Sequence, residues 1–131
     1  MLGTNGNGQG QFNRPTDVAV AHQEVFVVEH SNHRIQVFTL QGGFKRMWGT
    51  NGSGQGQFSS PYGIAVVDQE VFVADRNNHR IQVVTLEGGF KRMRGSKGNG
   101  QGQFSGPTGV AVVNQGLFVT DSSNYRVQVF H

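Results

Sequence analysis

The chain has no cysteine, only three prolines, and no apolar stretch as long as the ~18 residues that a membrane span needs. Without cysteine there can be no disulfide, thiolate nucleophile or Cys-ligated zinc. The first residues, "MLGTNGNGQGQF", lack the basic and apolar segments of a signal peptide. These absences predict an intracellular, cytoplasmic protein with no membrane partner.

The excess of positive over negative charge is also small. Eleven Lys and Arg against eight Asp and Glu give a net charge of +3, which does not by itself predict nucleic-acid binding. The 35% hydrophobic and 15% charged residues are typical of a soluble globular protein, and 131 residues suit a single domain spanning 1–131. Glycine is abundant, at 20 residues, so much of the chain must form turns.

A period of 46 residues runs through the whole chain without insertion or deletion. It relates Phe12, Phe58 and Phe104, and it divides the sequence into repeats 3–48, 49–94 and 95–131. A period of this length indicates a solenoid, a propeller or an array.

One full repeat contains four strand candidates and no helix candidate. In the second repeat they are Gly63–Val67, Glu70–Asp75, Arg80–Leu86 and Phe90–Arg94. The first is short, apolar and β-branched, so it is expected to be buried on both faces, and polarity rises towards the fourth. This gradient predicts an all-β fold of four-stranded antiparallel propeller blades, with the first strand at a central axis and the fourth in solvent.

The segment "GQFSSPYGIAVVDQEVFVADRNNHRIQVVTLEGGF" resembles the NHL repeat, which forms the blades of six-bladed propellers. The resemblance recurs three times and covers almost the whole chain. It departs at Asp17, which replaces the Gly of Pro-x-Gly, at Glu29, which replaces Asp, and at Tyr125, which replaces His.

The resemblance implies three blades per chain, half of a six-bladed ring, with the third blade lacking its outer strand. Because three blades cannot close a ring, the first and third would expose apolar flanks. We therefore expect a homodimer that closes a six-bladed ring. A nine-bladed trimer, or an excised or engineered fragment without a physiological ligand, is an alternative.

The turn "DRNNHRIQV" between the second and third strands is expected to be structural. We expect Asp75 to accept backbone N–H groups, Asn78 to adopt a left-handed conformation, and Arg80 to pair back to Asp75. The turn lock predicted in the three repeats comprises Glu29, Asn32, Arg34, Asp75, Asn78, Arg80, Asp121, Asn124 and Arg126.

Residues that vary between copies of this turn are candidates for specific contacts, on the top face where the resemblance places ligands. Tyr62 and Tyr125 are added to these candidates as aromatic side chains that could stack on a ligand. The full set is His30, Ser31, Tyr62, Arg76, Asn77, Ser122, Ser123 and Tyr125. His33 and His79 do not predict a metal site, because Tyr125 interrupts the series and separate blades hold them too far apart. No cofactor is expected.

Two segments mimic nucleotide- or phosphate-binding features. "GTNGSGQGQF" lacks the Gly-Lys-Ser/Thr ending of a phosphate loop, so we expect a flexible crossover between blades. Basic residues at Lys45–Arg46 and Lys91–Lys97 are expected to protect an outer edge strand rather than to bind RNA phosphates.

These observations favour a non-catalytic interaction scaffold with a protein ligand. The alternative is a propeller that binds single-stranded RNA on a basic top face, because the NHL domains of some regulatory proteins do so. An enzyme is not expected, because the first-strand mouths offer one carboxylate, Asp17, and no base or nucleophile pair.

Overall fold

The computed structural model describes residues 1–131 as seventeen strands and two one-turn 3₁₀ helices, Arg76–Asn78 and Ser122–Asn124. In chain order the strands are β1 (Thr4–Asn5), β2 (Gln11–Phe12), β3 (Pro15–Ala21), β4 (Glu24–Glu29), β5 (Arg34–Thr39), β6 (Phe44–Trp48), β7 (Thr50–Asn51), β8 (Gln57–Phe58), β9 (Ile64–Val67), β10 (Glu70–Asp75), β11 (Arg80–Thr85), β12 (Phe90–Arg94), β13 (Ser96–Lys97), β14 (Gln103–Phe104), β15 (Pro107–Val113), β16 (Gly116–Asp121) and β17 (Arg126–Phe130). No helix has the length and apolar character needed to cross a bilayer.

The longer strands form three antiparallel sheets that are the predicted blades. Blade 1 has the order β3-β4-β5-β6, blade 2 the order β9-β10-β11-β12, and blade 3 the order β15-β16-β17. Sequential strands pair side by side because short turns join them, with two residues between the first and second strands of each blade and four between the later ones. Asp68 in one two-residue turn has a φ of 53°. The all-β propeller fold, with a third blade of three strands, is confirmed.

The core lies between the blades. One cluster joins Phe26, Val28, Ile35 and Val37 of blade 1 to the facing side of blade 2, and a second joins Phe72, Ala74, Ile81 and Val83 of blade 2 to blade 3. The middle strands β10 and β11 are buried along most of their length because blade 1 covers one face of blade 2 and blade 3 the other. In blade 1, β4 and β5 are also largely buried, with blade 2 on one face and Phe12 packed on Phe38 of β5. Each blade is thus stable only against a neighbour.

The first strands are less buried than the sequence predicts. In β3, Val18 is 56% and Val20 64% exposed, and β9 is mostly half-buried. The expectation of burial on both faces was wrong for a single chain, because three blades leave the central axis and the flank of blade 1 open.

The glycine-rich segments are ordered loops, which corrects the expectation of a flexible crossover. Thr50–Asn51 pairs in parallel with Gln57–Phe58, and the Gln57 Oε1 accepts the Gly54 N–H at 2.9 Å. Gly52 has a φ of +158°, and a Cβ there would lie 2.3 Å from Gln57 Oε1, so the Gln57 side chain needs glycine at that position. A polar side chain thus replaces the missing hydrophobic packing of the loop.

Candidate functional site

The turn between the second and third strands of each blade surrounds a buried carboxylate. In blade 2, Asp75 is fully buried, and its Oδ2 accepts the Arg80 Nε–H at 2.8 Å. The Asn78 amide also donates to Oδ2, at 3.0 Å, and the Ser59 backbone N–H donates to Oδ1 at 2.8 Å. Several donors on one carboxylate compensate the desolvation of its charge.

The guanidinium of Arg80 connects this turn to the glycine-rich loop of the same repeat. Its Nη1 donates to the Ser53 carbonyl at 2.9 Å, and its Nη2 donates to the Gly54 and Gln57 carbonyls at 2.9 and 3.0 Å. Arg34 and Arg126 make the equivalent bonds in blades 1 and 3. All nine predicted turn-lock residues belong to these three networks: Glu29, Asn32, Arg34, Asp75, Asn78, Arg80, Asp121, Asn124 and Arg126.

The left-handed residue of the turn is not the asparagine. Asn78 ends a 3₁₀ helix with its amide bound to Asp75 and to the Gly52 carbonyl, and His79 has the φ of 55°. The prediction for Asn78 was wrong because its side chain is already occupied in the network.

One network member was missed from the sequence. The buried Gln82 amide donates to Asp75 Oδ2 at 3.2 Å, and its Oε1 accepts the Gly56 N–H at 3.0 Å. The sequence could have indicated this role, because glutamine recurs at the 46-residue period as Gln36, Gln82 and Gln128.

The turn histidines join successive blades. His33 Nδ1 accepts the Ser60 backbone N–H at 2.9 Å, and His79 Nδ1 accepts the Gly106 backbone N–H at 3.0 Å. Both bonds require an unprotonated Nδ1, so Nε2 carries the proton of the neutral ring. Burial lowers the pKa of His79, with a smaller effect from Lys97. The structure has no group of three or more His, Cys, Asp or Glu side chains placed to hold a metal ion.

Three of the predicted top-face residues meet between blades 1 and 2, and we call His30, Tyr62 and Arg76 the top-face cluster. The rings of His30 and Tyr62 are edge-to-face at 6.2 Å, and Arg76 Cζ lies 5.9 Å from the Tyr62 ring centroid. The Arg76 Nε is buried without a hydrogen-bond partner. Burial lowers the pKa of His30, and the positive charge of Arg76 lowers it further. The cluster therefore carries one permanent cation beside an aromatic face.

The other predicted top-face residues surround the cluster or lie apart from it. Ser123 and Arg76 both flank Gly106, and the Ser122 and Thr108 hydroxyls are 2.6 Å apart in blade 3. Ser31 and Asn77 anchor their turns by donating backbone N–H groups to Asn13 and Ser59. Tyr125 is 95% exposed on the open flank of blade 3, away from the cluster.

Four basic residues of the outer strands are ion-paired, and a fifth, Arg94, lies over the Phe130 ring. Arg46 Nη1 lies 2.8 Å from Glu24 Oε2, and Lys45 contacts the same carboxylate. Arg92 and Lys91 pair with Glu70 at 2.7 and 2.6 Å. The hydrogen bonds from Arg46 and Arg92 lower the pKa of Glu24 and Glu70 to about 2.

Two concave regions occur elsewhere. The mouth of the central axis is a depression of about 180 Å³ that contains Thr16, Asp17, Tyr62 and Thr108, where Asp17 Oδ2 accepts the Ile64 N–H at 3.1 Å. A groove of about 590 Å³ lies between blades 2 and 3 beside Arg94 and Phe130. Trp48 and Leu86 pack against the core at the corresponding place between blades 1 and 2.

Comparison with known proteins identifies the repeat. The NHL repeat pattern matches residues 12–38, 58–84 and 104–130. No individual curated protein matches the sequence.

Solved structures share the fold. An exported protein of Bacteroides fragilis superposes with a TM-score of 0.67 at 14% identity, over 95% of this chain and 38% of its own length. A catalytically inactive virginiamycin B lyase of Staphylococcus aureus with quinupristin superposes with a TM-score of 0.65 at 19% identity, over 97% of this chain and 43% of its own length. An auxiliary nutrient binding protein of Bacteroides thetaiotaomicron superposes with a TM-score of 0.67 at 14% identity, over 86% of this chain and 36% of its own length. The chain therefore spans less than half the length of these structures, and the similarity at such identities concerns the fold alone.

Proposed function

Because the chain belongs to the NHL-repeat family of β-propeller proteins, we propose that it is a non-catalytic interaction scaffold in which two copies close a six-bladed ring. The top face of this ring binds a protein ligand. The observation that carries the proposal is the pair of open flanks on blades 1 and 3, which have the same residue positions as the two packed junctions.

The open flank of blade 3 is exposed at positions that are otherwise core. In blade 1, Phe26, Ile35 and Val37 face blade 2 and are completely buried. The 46-residue period relates them to Phe118, Val127 and Val129, which are 37%, 62% and 48% exposed.

The open flank of blade 1 is its counterpart. In blade 2, Ile64 faces blade 1 and is buried, with Val66 and Leu86 packed beside it. The equivalent residues of blade 1 are Val18, Val20 and Leu40, and all three are exposed. Val27 and Phe38, the equivalents of Val73 and Val84, are already buried within the chain, so the open part of this flank is its edge near β3 and Leu40. A monomer therefore leaves apolar side chains of both flanks in water.

A second copy covers both surfaces at once. Blade 3 of each chain packs on blade 1 of the other around a two-fold axis, which gives six blades, within the known range of four to eight. The solved structures with this fold support an assembly of more than three blades, because this chain covers only 38% and 43% of their lengths.

Light scattering coupled to gel filtration tests this assembly. We expect a mass of twice 14.3 kDa. A mass of three times this value would replace the dimer with a nine-bladed trimer, and a stable monodisperse monomer would overturn ring closure.

The top-face cluster is the proposed ligand site. The charge of the partly exposed Arg76 guanidinium and the half-exposed Tyr62 ring suit an acidic side chain next to an apolar one, and the two-fold axis places two clusters on one face. Asp17 is the one carboxylate that lines the central mouth, where no second carboxylate or histidine accompanies it, and this supports a binding role for the protein.

Single-stranded RNA is the second candidate ligand, favoured by the 5.9 Å approach of the Arg76 guanidinium to the Tyr62 ring. Oligonucleotide binding at roughly 50 and 200 mM salt should then differ by about 300-fold if some six phosphates of a single strand are contacted. Arg76→Ala should weaken binding and reduce its salt dependence, whereas Lys45→Ala, which removes the same charge from an outer strand, should change neither. Absence of binding at low salt would exclude RNA and leave the protein ligand.

A further inference from the structure

Two residues that depart from the repeat pattern lie on the two open flanks, at positions that meet in the packed junctions. The histidine of one blade pairs with a backbone N–H of the next, as His33 with Ser60 and His79 with Gly106. The 46-residue period makes Tyr125 the equivalent of the histidines and Arg14 the equivalent of Ser60 and Gly106.

The backbone is the same at all of these positions. His33, His79 and Tyr125 have φ values of 54°, 55° and 55°. Arg14, Ser60 and Gly106 have φ values of 54°, 50° and 65°. Only the side chains change, so Tyr125 and Arg14 are presented in the orientation that the packed junctions use.

The environments of the two residues are those of an unfilled junction. Ser60 and Gly106 are buried by the preceding blade, whereas Arg14 is exposed and its N–H donates no hydrogen bond within the chain. Tyr125 is 95% exposed, while His33 and His79 are partly buried.

The two side chains also fit each other chemically. A tyrosine ring has a carbon where histidine has Nδ1, so Tyr125 cannot accept a backbone N–H as the histidines do. Its ring face instead attracts a cation, and Arg14 supplies a guanidinium on a side chain long enough to cover the ring.

We propose that Tyr125 of each chain stacks on Arg14 of a second copy, so that a cation–π pair replaces the histidine hydrogen bond at both closing junctions. This inference rests on the proposed dimer. It makes the junctions between chains chemically different from those within a chain. The closing contact is a guanidinium over an aromatic ring, whereas each internal contact is a backbone N–H donating to an imidazole Nδ1.

A double-mutant cycle on the dimer dissociation constant tests the pair, with Kd measured by sedimentation equilibrium. Tyr125→Ala and Arg14→Ala should each weaken the dimer about 5- to 900-fold, because each substitution removes both pairs of the two-fold dimer, and the double variant should be no weaker than the single ones. Both residues are exposed in the free chain, so the variants should fold.

Two further variants separate stacking from other roles of the tyrosine. Tyr125→Phe keeps the ring and should preserve the wild-type Kd. The double variant Tyr125→His with Arg14→Ser rebuilds an internal type of junction and should also dimerise. A wild-type dimer in which the two alanine effects simply add, or in which Tyr125→Phe is as weak as Tyr125→Ala, would overturn the pair and leave the dimer standing. A monomeric wild type would overturn both.

Discussion

At the scale of single residues, each blade depends on one arginine that satisfies several buried groups. Arg80 binds the fully buried Asp75 carboxylate and three loop carbonyls, so one side chain fixes both the turn and the glycine-rich loop. Arg76 lies four residues earlier in the same turn and forms no hydrogen bond at its Nε. The two arginines therefore provide a matched test of structural and ligand-facing roles.

We expect Arg80→Ala to lower the free energy of unfolding by about 3–5 kcal/mol, because it leaves a buried carboxylate without its cation. Arg76→Ala should change it by less than about 0.5 kcal/mol, because no hydrogen bond is lost. Urea unfolding of both variants measures the difference. Equal unfolding midpoints would show that Arg80 is not the structural member of the pair.

The histidine at the blade junction predicts a pH dependence of stability. The pKa of His79 is lowered from its usual value by burial, so as pH falls the unfolded chain binds the proton first. The stability that His79 contributes is fully present above about pH 6.5 and is lost as pH falls through the lowered pKa.

His79→Asn provides the matched variant, because the asparagine Oδ1 can accept the Gly106 N–H, does not titrate, and tolerates a positive φ. Thermal melts between pH 5 and pH 8 should show a smaller acid-induced loss for the variant than for the wild type. An identical loss would exclude His79 as a source of the pH dependence.

At the scale of strands and loops, local patterns predicted the strands, and long-range contacts decided the loops. Glu70–Asp75 and Phe90–Arg94 match β10 and β12 because turns bound them and their composition suits a sheet. The loop 49–58 looked flexible because its order comes from Arg80, more than twenty residues later. The contact between His30 of blade 1 and Tyr62 of blade 2 also depends on how two blades pack, which a sequence pattern cannot show.

The turn between β11 and β12 contributes a close approach between blades. Gly88 has a φ of +92°, and a Cβ there would lie 2.3 Å from Trp48 Cγ in blade 1. Gly42 has the same φ in the equivalent turn of blade 1, but its nearest neighbour would be Leu2 at 3.9 Å. The two glycines therefore share backbone strain and differ in crowding.

Gly88→Ala should destabilise the protein by about 1–3 kcal/mol more than Gly42→Ala, because only the first overpacks a neighbouring aromatic ring. Calorimetric unfolding of the two variants compares them directly. Equal destabilisation would mean that the Trp48 side chain moves aside without loss.

At the scale of the whole molecule, the same position has opposite roles in different blades. Ile81 in β11 is completely buried between blades 2 and 3, and Val127 in β17 is its equivalent on the open flank, 62% exposed. A free chain leaves Val127 in water, and a closed ring buries it as blade 2 buries Ile35. The two positions thus separate folding of the chain from association of two chains.

Ile81→Asp should prevent folding, because an unpaired charge is costly in an apolar core. Val127→Asp should leave the strand signal of the circular dichroism spectrum unchanged but convert the proposed dimer to monomers, because the charge becomes buried only when blade 1 of the second copy packs on it. Light scattering and circular dichroism on the same samples measure both properties. If Val127→Asp keeps the wild-type dimer mass, the open flank of blade 3 is not the surface on which the two chains meet, and ring closure through this flank is excluded.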